Sequence, residues 1–143
     1  MKNEIFYAIY GAYTDEYYFG YMDDFNEGHP ARVEFDYDKI MSRHEDLIGF
    51  YHTHPNMSAY PSETDRETMS GWTNMLGRPL LCLIANNDEI IPWIYDNEKE
   101  DFFKASYVYL KNNKFILVGQ DRFIGKTRYL NDLNNKISSI RVF

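Results

Sequence analysis

The chain predicts an α/β domain organised around a mixed, strand-dominated sheet. Three observations carry this expectation. Short runs rich in aromatic and branched residues recur along the chain, each bounded by Gly, Pro, Asn or Asp. One segment, by contrast, carries a clear helix start and a clear helix stop. The composition is that of a folding domain, 44% apolar and 17% aromatic over 143 residues, which is enough chain for one domain with a buried core.

In order, Ile5 to Tyr10 reads as a strand ending near Gly11, and Glu16 to Met22 as its hairpin partner through Ala12-Tyr13-Thr14-Asp15. Asp23 to Pro30 is polar and turn-like, and Ala31 to Phe35 reads as a third strand. Asp38 to His44 is short and helical in pattern. Leu47 to His54 is an apolar strand that Pro55 stops, because proline has no amide to give a sheet. After a loop from Met57 to Pro61, Ser62 is a natural N-cap for a helix from Glu63 to Leu76, with Gly77 as its stop. Pro79 to Ala85 and Glu89 to Tyr95 form a hairpin through Asn86-Asn87-Asp88, and Phe102 to Leu110 and Lys114 to Val118 are two further strands. A last helix is expected from Thr127 to Ile140.

Bulk properties remove several classes of function. A net charge of −7 argues against a nucleic-acid binder, which needs a basic footprint. No run approaches the length of a membrane span. Cys82 is the only cysteine, so neither an internal disulfide nor a cysteine-built metal knuckle can form. It sits in Leu80-Leu81-Cys82-Leu83-Ile84, where a buried thiol is expected. With an acid at Glu4 where a secretion signal would be apolar, a cytoplasmic location is expected.

The most informative residues are His52-Thr53-His54-Pro55, followed by Ser62 and Asp65. Side chains alternate faces along a strand, so His52 and His54 point the same way and can meet at one ion. Asp65 can return through the loop as an oxygen ligand. Three protein ligands leave one position of a tetrahedral zinc open, which is the arrangement of a catalytic site. Ser62-Glu63-Thr64-Asp65 also has a plainer reading as a helix capping box. His29 and His44 lack any such context and read as surface residues.

His52-x-His54, seven residues, then Ser62-x-x-Asp65, with Gly49-Phe50-Tyr51, Pro55 and Pro61 around them, resembles the JAMM (MPN+, Mov34/JAB) zinc metallopeptidases. The likeness is strongest from about Arg32 to Ile94. It implies an MPN fold, a curved mixed sheet flanked by helices, in one domain over residues 1–143. It also implies that His52, His54 and Asp65 ligate zinc (Zn2+), that Ser62 hydrogen-bonds the developing oxyanion, and that an upstream glutamate is the general base. Glu4 opens an apolar strand closed by Gly11 and is the first choice; Glu16 is the second. Glu34 stands too near His52 for the family's usual spacing. The family has a helix before this strand, where this sequence shows Met1 to Asn3, so firm strand pairing would have to hold Glu4 in place.

The implied activity is hydrolysis of peptide or isopeptide bonds after the Gly-Gly tail of ubiquitin or a ubiquitin-like protein, by a compact prokaryotic-type member. Tyr60, Met57 and Trp72 are near enough in sequence to line the groove for such a tail. The same fold also serves cell-wall and phage-tail peptidases, RadC-type domains and non-catalytic scaffolds. Scaffold members lack the ligands that this sequence has.

Overall fold

The structure is a computed structural model, and it describes residues 4–14, 16–27, 37–112 and 114–119, with residues 25–27 by backbone alone. The strand expected at Ala31 to Phe35 and the helix expected at Thr127 to Ile140 lie outside the described residues, as do His29 and Glu34.

The first two strands are β1 (Ile5–Tyr13) and β2 (Tyr17–Glu27). β1 runs past Gly11, which looked like its end, and β2 runs past Met22 to Glu27, through the start of the segment that read as a turn. Gly11 pairs with Gly20, and a Cβ on Gly11 would stand 2.1 Å from the Phe19 carbonyl oxygen. These glycines therefore serve the close approach of two backbones rather than a stop. A short helix α1 (Tyr37–Met41) and a 3-10 turn (His44–Asp46) lead into β3 (Leu47–Thr53). Helix α2 (Glu63–Leu76) has the expected bounds, with Ser62 as N-cap and Gly77 in the left-handed conformation at φ 69°. Strands β4 (Leu80–Ala85) and β5 (Ile90–Asp96) follow.

The run from Phe102 to Leu110 is not one strand. It breaks into β6 (Asp101–Lys104) and β7 (Tyr107–Lys111), and the last described strand is β8 (Phe115–Gly119). The topology explains the break. Among the described residues the sheet has the order β6-β5-β4-β3-β1-β2-β8-β7, so β6 and β7 are its opposite edges. Only Ala105 and Ser106 join them. The sheet must therefore curl until its edges meet, since the three Cα steps from Lys104 to Tyr107 span at most about 11 Å. The connector bonds to both ends of the sheet: the Ala105 amide donates to Pro92 O of β5 and the Ser106 amide to Gly119 O of β8, each at 2.8 Å.

The result is a strongly curled mixed sheet with few helices. The pairing β3–β4 is parallel and carries α2 as its crossover, while the other neighbours are antiparallel. Ile9, Ile48, Leu81, Leu83, Ile94, Ile116 and Val118 fill one core. Phe6, Ala8, Phe50, Cys82 and Ile84 face the other way and pack with Met69 and Trp72 of α2. β4 is apolar at all six positions and buried throughout, as befits a strand covered on both faces. Burial pushes the Cys82 thiol well above its ordinary pKa, so it stays protonated and inert. The expected flanking helices reduce, among the described residues, to α1 and α2. No helix among them is long and apolar enough to cross a membrane.

Candidate metal centre

β1 and β3 build half of the site by register alone. They are antiparallel, with Phe6 opposite His52 and Ala8 opposite Phe50. Carried two residues further, this register sets Glu4 against His54. Side chains at Glu4 and Phe6 then share the face that carries His52 and His54. The end of β1 is pinned across the sheet, because the Ile5 amide donates to Thr53 Oγ1 at 2.8 Å. Thr53 is itself buried between the two histidines. One hydrogen bond, 48 residues long-range in sequence, thus holds the acid that begins the strand.

Helix α2 builds the other half. Ser62 and Asp65 form a reciprocal capping box: Ser62 Oγ accepts from the Asp65 amide at 3.1 Å, and the Ser62 amide donates to Asp65 Oδ2 at 2.8 Å. The capping-box reading of this motif is realised, and the same cap aims the Asp65 carboxylate at the two histidines. Asp65 Oδ1 lies 3.0 Å from His52 Nε2, and Oδ2 lies 3.1 Å from His54 Nε2. The ligand atoms of Glu4, His52 and His54 fall within 4.8 Å of one another, and all three residues are buried. Zinc held tetrahedrally at about 2.0–2.1 Å keeps its ligand atoms roughly 3.3 Å apart, close to the 3.0 and 3.1 Å between Asp65 and the two imidazoles.

The chemistry of these donors also fits a cation. His54 Nδ1 is 2.8 Å from the Ser58 carbonyl oxygen, which can only accept, so Nδ1 carries a proton. In the neutral ring Nε2 is then a bare lone pair, and it faces a carboxylate oxygen. Two acceptors in contact repel unless a proton or a metal ion stands between them. Without a metal, the proton solution has clear signatures. Burial opposes charge on His54, yet its bonds to Asp65 and Ser58 and the fields of Asp65 and Glu4 raise its pKa above the ordinary imidazole value. Burial would lift the Asp65 carboxyl, but hydrogen bonds from His52, His54 and the Ser62 amide hold it far below the usual carboxylate range. Glu4 goes the other way. Burial raises it, the two histidines pull it down, and Asp65 pushes it up again.

The structure brings together Glu4, His52, His54, Ser62 and Asp65. Glu16 lies beyond the far end of β1, in the turn to β2. Trp72 does not line a groove at this site: it is buried, packing edge-on against Phe50 at 5.1 Å and against Tyr37 at 5.2 Å. Met57 and Tyr60 are exposed in the loop between the two donor segments, at 52% and 53%. His44 is exposed on the 3-10 turn, bonded to Met41 O. The sequence carried no sign of the Ser58 carbonyl or the Thr53 hydroxyl as supports, since neither depends on residue spacing that a motif would show.

Comparison with known proteins agrees with this geometry. No curated protein matches the chain. The family described as prokaryotic homologs of the JAB domain matches residues 3–112, which is well over half of the chain and spans every donor named above. The chain belongs to the prokaryotic JAB-domain family.

Proposed function

We propose that the chain is a zinc-dependent peptidase or isopeptidase that cuts after the Gly-Gly tail of a ubiquitin-like protein. The observation that carries this reading is the convergence of two imidazole Nε2 atoms on the two oxygens of one capped carboxylate, with a second buried carboxyl beside them. His52, His54 and Asp65 would hold the zinc. Bound there, zinc supplies Lewis acidity and an activated water at neutral pH.

The chain's own residues have distinct tasks. Glu4 acts as general base and then general acid, taking the proton of the attacking water and passing it to the leaving amine. A carboxyl raised by burial suits that exchange better than an ordinary one. Ser62 Oγ already accepts from the Asp65 amide, so its own O–H can donate to the oxyanion of the tetrahedral carbon. Met57 and Tyr60, exposed beside the site, would contact the extended tail. A Gly-Gly sequence suits a tight approach because it has no side chains to clash.

The test is a cleavage assay on a panel of Gly-Gly-tailed fusion proteins, with metal content measured on the same preparation. One equivalent of zinc, cleavage after the second glycine, and loss of both on chelation are expected. A chain that binds no metal, or that cleaves with a chelator present, would end the proposal.

A further inference from the structure

The β4–β5 hairpin contributes none of the donors, yet it grips the loop that orients them. The carbonyl of Ser58, which sets the proton of His54 at Nδ1, belongs to a residue exposed to solvent. Left alone, such a carbonyl could turn toward water. It is flanked on both sides by carbonyls that are tied down. Asn86 Nδ2 donates to Met57 O at 2.9 Å, and the Trp93 indole Nε1 donates to Ala59 O at 3.0 Å. The Asn86 amide cannot be turned round, because its Oδ1 accepts from the Asp88 and Glu89 amides, both at 2.9 Å. Trp93 is itself wedged between Tyr60 at 5.2 Å and Phe102 at 6.4 Å. A third bond closes the base of the loop, from the His54 amide to Ala85 O at 2.8 Å.

We infer that Asn86 and Trp93 are positioning residues for the metal centre: by pinning the peptide groups on either side of Ser58, they fix the ring orientation and tautomer of His54. The inference rests on the zinc reading above for its consequence, but not for its geometry. Groups that orient a ligating histidine influence metal affinity by about 10–100-fold when removed. Asn86 and Trp93 act one bond further away, so a loss near the low end of that range is expected.

Two substitutions remove the donors while keeping an aromatic ring or a turn acceptor in place. Trp93→Phe keeps a ring between Tyr60 and Phe102 but removes the N–H. Asn86→Asp keeps the acceptor of the turn but cannot donate to Met57 O. Each should weaken zinc binding about tenfold in competition with a chromophoric chelator, and each should lower the intensity of the visible bands of the cobalt-substituted protein. The double variant should lose less than the product of the two, because both act through one carbonyl. A merely structural role would lower the melting temperature and leave zinc affinity and the cobalt spectrum unchanged, and that result would overturn the inference. If the unmodified chain binds no metal, the functional reading fails by itself and the positioning role is judged on the chelator-treated protein by NMR. There, a slowly exchanging His54 Nδ1–H that is lost in both variants supports the role, and identical ring signals in all three proteins refute it.

Discussion

The two halves of the centre are held by opposite means. Asp65 is aimed by neighbours three residues away, through a capping box at the start of a 14-residue helix. Glu4 is aimed by a strand 48 residues distant, through pairing with β3 and the bond from the Ile5 amide to Thr53. The first arrangement is local and needs only a helix. The second exists only once the sheet has formed. If the proposed roles hold, the aim of Asp65 should survive disturbances that scatter Glu4, and this would separate metal binding from turnover.

The largest expected effect is on the ligand side. His54→Ala should abolish stoichiometric zinc and with it all cleavage, as read by metal analysis after gel filtration. Retained zinc would show that the remaining donors suffice and would dissolve the contrast between the halves. Next, Glu4→Gln should keep zinc and cost about 10²–10⁴-fold in kcat. If it loses zinc instead, Glu4 is a ligand and belongs to the same half as the histidines. Thr53→Val should be milder. It strips the anchor from the Ile5 amide, costing about 1 kcal/mol of stability, and should lower kcat with zinc affinity unchanged.

The smallest effect is a change of sign with pH. With metal removed, the raised His54 pKa is stability that is complete below about pH 6.5 and lost as pH rises through the folded value. The depressed Asp65 carboxyl contributes stability above about pH 3.9 that is lost as pH falls toward its folded value. The pair therefore supports the metal-free fold best between these limits, and the urea midpoint should decline from pH 6 to pH 8. Saturating zinc should reverse that trend, because ligation needs neutral imidazoles. A midpoint that falls equally with and without zinc would mean the ion does not sit between these groups.

How much was legible in the sequence follows the same division. The His52/His54 spacing and the Ser62-to-Asp65 spacing are fixed by the periods of a strand and of a helix start, so both could be read in advance. The helix bounds at Ser62 and Gly77 were legible for the same reason. Gly11 misled, since a glycine that ends a strand and one that lets two strands touch look alike in one dimension. The run from Phe102 to Leu110 misled because its apolar pattern is continuous, while its break at Ala105 and Ser106 comes from closing the sheet. Trp72 lies near the motif in sequence, but a helix turns its large apolar residues inward.

By itself the sequence determined the family and singled out His52, His54, Ser62 and Asp65 as candidates, because residue type and local spacing are properties of residues and of single elements. Only the tertiary structure decided which acid joins the histidines, which carbonyl orients His54, and which hairpin holds that carbonyl. Those choices depend on the register between strands distant along the chain and on a sheet whose two edges must meet across two residues. Distance in space is set by that closure, and no spacing within a motif encodes it.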